Sequence, residues 1–239
     1  MASLRQIAAC IGISGTFSVL GDFYGFFLAR VPDDPTGVEI TLSLLQQIRR
    51  LQKPHFHLDV TAVGSDNFTG AMDGALDYSL FKIRNVYAQA GVGVGRVRHH
   101  RVLSADAQGL DVITSEGEME TITDTFALDG DSINVLIPAS MNVPSDGGML
   151  LGKSAIDGPC EEKDDKGLNG SCVGPWGSEQ MARTMAHEVG HYLGLTHRND
   201  EPENLMCQSG KASSIRDSIL IDSGQADDIK DHCLVHPSC

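Results

Sequence analysis

Apolar positions in the first part of the chain predict a helix, a strand and a second helix. Residues 37 to 51 follow a capping-box sequence and carry apolar side chains at helical spacing. Residues 55 to 63, HFHLDVTAV, alternate and include β-branched residues, which is typical of a strand. Residues 71 to 90 repeat apolar side chains with the period of a helix packed against a sheet, and Gly91 is a suitable C-cap.

The second part of the chain predicts more strands and a further pair of helices. Strands are expected at 92 to 103, at 132 to 138 and at 148 to 156, and a helix begins at Ser178. The segment 222 to 235 reads as a closing helix. This order predicts an α/β (α+β) fold, with a mixed twisted sheet, a backing helix and a long helix near the C-terminus.

Length and composition place the chain among folded proteins with one sizeable core or two small ones. Its 239 residues are 41% hydrophobic and 21% charged, which excludes disordered and fibrous classes. The net charge of −14 disfavours a nucleic-acid partner, because such proteins normally neutralise phosphates with a basic face. No stretch reaches the roughly 20 apolar residues of a membrane span, so no integral membrane segment is expected.

Six cysteines, with no CxxC pair, favour disulfides over a structural zinc site. They occupy positions 10, 160, 172, 207, 233 and 239. Cys160 and Cys172 bracket a short loop that they would close as a ring, and Cys207 is expected to pair with Cys233 or Cys239. Disulfides indicate an oxidising compartment, so we expect a secreted or extracytoplasmic protein. Residues 7 to 20 fit a signal peptide or a strand or turn of an N-terminal extension equally well.

The sequence HEVGH, within the helix that begins at Ser178, contains candidate metal ligands and a candidate catalytic residue. His187 and His191 are four residues apart, so both imidazoles lie on one helix face and can bind one cation. Glu188 is rotated away from them and can meet a metal-bound water. Gly194 permits the sharp turn that returns His197 to the same ion. Three imidazoles leave one tetrahedral position open, as in catalytic zinc sites.

The stretch HEVGHYLGLTH, residues 187 to 197, matches HExxHxxGxxH and thereby resembles the metzincin zinc metallopeptidases. Met206 in ENLMCQ resembles the methionine of their Met-turn, which would lie beneath the imidazoles without binding the metal. The spacing from His197 to Met206 is similar to that of matrixin-like or pappalysin-like bacterial relatives. Arg198 stands where matrixins have serine, and no tyrosine follows Met206, so the family within the clan stays open.

The resemblance implies a domain plan and a substrate site. Residues 1–53 would be an N-terminal extension, either a signal or a pro-segment, and 54–239 the catalytic domain, with an upper subdomain 54–194 and a lower one 195–239. An edge strand would bind extended protein or peptide substrates by main-chain pairing. Its residues would be Gly148, Met149, Leu150, Leu151 and Gly152.

The implied activity is a zinc-dependent endopeptidase. One zinc-bound water would hydrolyse the peptide bond, with Glu188 as general base and then general acid. The alternative is a zinc-bearing binding or toxin-like module with little or no turnover.

Cys10 would act as a latency switch if it bound the zinc of a zymogen, or it would pair with Cys239 or remain a buried thiol. Acidic residues between Asp157 and Gly177 are a candidate Ca²⁺ site or a solvated loop.

Overall fold

A computed structural model of the protein describes residues 53–145, 148–161 and 167–238. The elements in chain order are β1 (His55–Val63), α1 (Gly70–Gln89), β2 (Gly93–Val102), β3 (Val112–Ile113), α2 (Glu116–Phe126), β4 (Ser132–Pro138), β5 (Ser140–Met141), β6 (Val143–Ser145), β7 (Gly148–Leu150), β8 (Gly152–Ser154), β9 (Ser171–Val173), α3 (Ser178–Tyr192) and α4 (Ser223–Asp231). The predicted helix at 37 to 51 and Cys10 lie outside the described residues, so the latency hypothesis stays a prediction.

The main sheet has five strands in the order β2-β1-β4-β9-β8. The pairings β1–β2, β1–β4 and β4–β9 are parallel, and β8 adds antiparallel to β9 at one edge. Two small two-stranded sheets, β3–β5 and β6–β7, flank it. The predicted mixed α/β architecture is therefore confirmed. β8, which begins at Gly152 of the expected substrate-binding segment, is an edge strand of the main sheet.

Helices α1 and α3 pack together on one face of this sheet. Alternate residues of β1, including Phe56 and Leu58, point into a core shared with Ile83 of α1 and Met185 of α3. The hydroxyl of Tyr87 donates a hydrogen bond across the helix interface to the Ala186 carbonyl oxygen, at 2.9 Å. These contacts fix α3 against the sheet. No helix among the described residues is long and apolar enough to span a membrane.

Helix α2, which the apolar pattern did not predict, covers the opposite face. Ser115 and Glu118 form a reciprocal capping box at its start, so the sequence did carry a signal for it. Its residues Met119 and Ile122 pack with Leu136 of β4 and with the buried thiol of Cys172 in a second core cluster. The sheet is thus covered on both faces.

The segment 148 to 156 is two strands, so the prediction of one continuous strand was wrong. β7 pairs with β6, whereas β8 pairs with β9 in the main sheet. Between them the carbonyl oxygen of Leu151 accepts hydrogen bonds from the Gly174 amide at 3.0 Å and from the Trp176 indole at 2.7 Å. These bonds hold the chain at the point where it passes from one sheet to the other.

The cysteine pairing expected from loop closure was also wrong. The structure joins Cys160 to Cys233, with Cα atoms 5.9 Å apart, and Cys172 and Cys207 are buried free thiols. Cys172 is a core residue of β9, so its side chain is held in the sheet and is not available to the preceding loop. The bridge ties the chain just after β8 to the segment that follows α4.

Candidate active site

Helix α3 directs two imidazoles toward one point. His187 and His191 are buried, and their rings meet edge-on with centroids 4.7 Å apart. The Nδ1 of His187 lies 2.8 Å from the Leu205 carbonyl oxygen, and the Nδ1 of His191 lies 2.7 Å from that of Leu195. A carbonyl oxygen can only accept, so each Nδ1 carries the hydrogen and each Nε2 keeps its lone pair.

A tight turn brings the third imidazole to the same point. Gly194 takes φ +92°, a conformation that side-chain-bearing residues rarely adopt, and the helix ends there. The Nε2 of His197 then lies 3.3 Å from that of His187 and 3.1 Å from that of His191. A tetrahedral zinc with bonds of about 2.0 to 2.1 Å requires nitrogens roughly 3.3 to 3.4 Å apart. The three imidazoles therefore fit one zinc-sized ion.

Burial keeps the three histidines of the triad in the neutral form that binds metal cations. Burial lowers the pKa of His187 to about 3 and that of His191 to about 4, and it also lowers the pKa of His197. All three rings are consequently neutral at neutral pH, the form in which imidazole binds metals. His187 and His191 are buried while His197 is exposed, so one side of the triad faces solvent.

Glu188 lies beside the triad in a tightly packed position. Its side chain is 7% exposed, and burial raises the pKa of its carboxyl group to about 8. A Cβ atom built on Gly152 of β8 would lie 2.7 Å from Glu188 Cγ and 2.9 Å from Oε1. The edge strand thus passes directly over the carboxyl group, and any side chain at position 152 would displace it.

Met206 packs against α3 on the side of Gly190. A Cβ atom on Gly190 would meet the Met206 sulfur at 2.8 Å, so the close approach requires glycine at this position. The turn that carries Met206 is held by Asn204, whose side-chain oxygen accepts a hydrogen bond from the Met206 amide at 2.8 Å. Met206 is fully buried, and its nitrogen, carbonyl and side chain are all engaged. These contacts place the Met206 sulfur against the helix that carries His187 and His191, and its role as the methionine of a Met-turn stays a prediction.

A cleft of about 880 Å³ runs past the triad and Glu188. Four of the five residues expected to bind substrate line it, namely Met149, Leu150, Leu151 and Gly152; Gly148 does not. Gly148 instead pairs with Ser145 in the β6–β7 sheet. Sequence reasoning missed other residues of the cleft wall, including Glu116, Arg183 and Lys211. Of these, Arg183 had a signal, because it precedes His187 by one helical turn on the same face.

A second histidine cluster lies near the start of β1. His57 and His236 approach Asp131, with Nε2 to Oδ2 distances of 4.0 and 3.9 Å, and their rings stack at 4.9 Å. His57, Asp131 and His236 are far apart in the sequence, so their spacing does not predict this proximity. The Arg96 amide donates to His57 Nδ1 at 3.0 Å, which leaves the hydrogen on Nε2. His57 therefore accepts a hydrogen bond through Nδ1 and carries a hydrogen on Nε2, so neither ring nitrogen offers a free lone pair to a metal.

Comparison with known proteins gives one family match and similar folds. A profile described as metallo-peptidase family M12B, Reprolysin-like, matches residues 107–198, a range that includes the histidine triad. No curated protein gives a significant match. Metalloproteinase-II from Bacteroides fragilis superposes with a TM-score of 0.52 at 14% identity, over 76% of this chain and 53% of that one. Archaemetzincin from Methanopyrus kandleri gives 0.48 at 15% identity, over 74% and 95%.

The alignment thus spans about half the length of the Bacteroides fragilis protein. At this level of identity the similarity establishes the fold, and the matched segment supports a zinc metallopeptidase. The resemblance to metzincins predicted from HExxHxxGxxH is confirmed, and the family within the clan remains open.

Proposed function

From the premise of a metzincin-type fold and a Reprolysin-like metallopeptidase segment, we propose that the protein is a zinc-dependent endopeptidase. The observation that carries the proposal is the convergence of three Nε2 atoms at 3.1 to 3.3 Å beside Glu188 in an open cleft. Neutral imidazole is a preferred zinc ligand, and three such ligands with one open side are typical of catalytic sites. His187, His191 and His197 would hold the ion.

The bound zinc would supply Lewis acidity, lowering the pKa of a water molecule toward about 7 and polarising the scissile carbonyl. Glu188 would accept the proton of the attacking water and transfer it to the leaving amide nitrogen. A group that both takes and gives a proton works best with a pKa near the working pH, and burial moves Glu188 in that direction.

The edge strand β8 would position the substrate. Its inner edge pairs with β9, and within the described part of the chain no strand covers its outer edge. An extended peptide added there would form main-chain hydrogen bonds along the strand and pass over the triad. Lys153 of β8 is held by Glu116 at 2.9 Å and Glu120 at 2.7 Å, which anchors the strand to α2. The scissile bond would then lie next to Gly152 and Glu188.

The Cys160–Cys233 bridge supports an oxidising compartment as part of the proposal. Secretion would be tested by locating the mature chain in the producing cells and outside them. Protein retained with reduced Cys160 and Cys233 in the cytoplasm would count against it.

The catalytic role is tested with Glu188→Gln, which keeps the size of the side chain and removes the carboxylate. A matched control is Glu203→Gln, since Glu203 is exposed and does not line the cleft that contains the triad. We expect Glu188→Gln to keep one zinc per chain and to lose cleavage of casein, while Glu203→Gln cleaves like the parent. Parental activity in Glu188→Gln would refute the assignment. One zinc per chain without cleavage in the parent would favour the alternative binding module.

A further inference from the structure

Arg183 is a buried cation without a carboxylate partner. It lies in α3 one turn before His187, and its side chain is 1% exposed. No acidic group lies within ion-pair distance of it in the part of the chain that the structure describes. Burying a charge is costly unless hydrogen bonds compensate for the lost water. The hydrogen bonds of the guanidinium must therefore compensate for the lost water, and they indicate the role of Arg183.

The guanidinium binds the loop that carries Met206. Its Nη2 donates to the carbonyl oxygens of Leu205, at 3.1 Å, and of Cys207. Its Nε donates to the Ser218 carbonyl oxygen at 2.9 Å, and Nη1 donates to the Ser209 hydroxyl at 3.3 Å. These acceptors flank Met206 on both sides. The planar fork of one arginine thus fixes several points of this loop relative to α3.

One of these acceptors is shared with a member of the triad. The Leu205 carbonyl oxygen that Arg183 holds also accepts the hydrogen of His187 Nδ1, at 2.8 Å. A carbonyl oxygen has two lone pairs, so both donors are accommodated. The position of this oxygen decides which nitrogen of His187 carries the hydrogen and where its Nε2 points.

We propose that Arg183 is a positioning residue for the metal site: it holds the Leu205 carbonyl oxygen in place and thereby orients His187 for metal binding. The proposal deepens the proposed function and rests on it in taking the triad as the metal ligands. Loss of such an outer contact typically weakens metal affinity about ten- to a hundredfold. Lysine at this position keeps the charge but lacks the planar fork.

The charge of Arg183 affects metal binding in the direction opposite to its positioning role, so the two roles can be distinguished by experiment. A guanidinium near a cation site repels the ion, so removal of the charge alone would strengthen metal binding. Loss of orientation would weaken it. Arg183→Lys keeps the charge and loses the fork, and Arg183→Gln loses both. Positioning predicts weaker binding in both variants, whereas a purely electrostatic role predicts unchanged binding in the first and tighter binding in the second.

The experiment measures zinc affinity by competition with a chromophoric chelator, and the visible spectrum of the Co²⁺-loaded protein. Ile122→Val is the control, because it loosens the core beneath α2 on the far face of the sheet. We expect affinity to fall about ten- to a hundredfold in Arg183→Lys and Arg183→Gln, with an altered Co²⁺ spectrum, and to stay parental in the control.

Folded Arg183 variants with parental affinity and spectrum would overturn the proposal. Should Arg183→Gln fail to fold, Arg183→Lys decides alone. An equal loss of affinity in the control would also overturn it, since that loss would follow from stability and not from orientation. A parent chain that binds no metal would refute the proposed function instead, so the two failures are distinguishable.

Discussion

We predict that the protein loses stability in mild acid because His57, in the second histidine cluster, is held in its neutral form by the fold. The parallel register of β1 and β2 is interrupted between Phe56 and Leu58, and at this point His57 Nδ1 accepts the Arg96 amide hydrogen bond. Protonation of Nδ1 would remove that acceptor. Burial, Arg96 and His236 lower the pKa of His57 from 6.5 to about 4, although Asp131 opposes the shift. His55 also faces this ring and lowers its pKa further.

The sign and size of the effect follow from proton linkage. Between pH 6.5 and about 4 the unfolded chain binds a proton at His57 that the folded protein does not bind. Unfolding is therefore favoured as the pH falls through this window, and the full stability is present above it. The pKa difference corresponds to about 3 kcal/mol. The side chain is 5% exposed, so solvent screening reduces this value little.

The assay is urea unfolding followed by the fluorescence of the single tryptophan, Trp176, at several pH values from 7.5 to 4. The variant His57→Gln offers an amide oxygen to the Arg96 amide and does not titrate. Groups remote from His57 titrate alike in both proteins, so the difference between the two unfolding free energies reports the titration of His57 together with its interactions with Asp131 and His236. We expect the parent to lose about 3 kcal/mol more than the variant across the window. Parallel curves would refute the reasoning.

Two further predictions concern the disulfide and the edge strand. Replacing both Cys160 and Cys233 by serine removes a crosslink that spans 73 residues, and chain entropy predicts that the free energy of unfolding falls by about 4 kcal/mol. Urea unfolding under non-reducing conditions measures this change, and unchanged stability would show that the bridge does not constrain the unfolded chain. Gly152→Ala would push its methyl group into Glu188, so casein cleavage should fall on the order of a hundredfold with zinc content unchanged, and a parental rate would contradict the close approach.

The sequence predicted the features that depend on neighbours along the chain. The pair His187 and His191 needs only helical spacing, and the turn to His197 needs only Gly194, so the sequence alone indicates all three as candidate ligands, and the structure brings their side chains together. β1 was predicted with its observed bounds because it alternates and ends at a glycine. Local periodicity and turn chemistry were sufficient in each case.

Features that depend on the meeting of distant segments were not predicted. Cys160 and Cys233 are 73 residues apart, and only the packing of the chain after α4 beside the loop after β8 brings them together. The division of the segment 148 to 156 depends on bonds from Gly174 and Trp176 to Leu151. The role proposed for Arg183 likewise depends on the path of the loop from 205 to 218. Spacing along the sequence holds no information on these contacts.

Zinc titration of the chelator-treated protein tests the central claim most directly, with casein cleavage recorded at each addition. The account predicts that cleavage is absent without metal, rises with added zinc and reaches its limit at one zinc per chain, as expected for a single site formed by His187, His191 and His197. Cleavage that persists after complete removal of the metal, or a metal-loaded protein that cleaves no peptide, would contradict it.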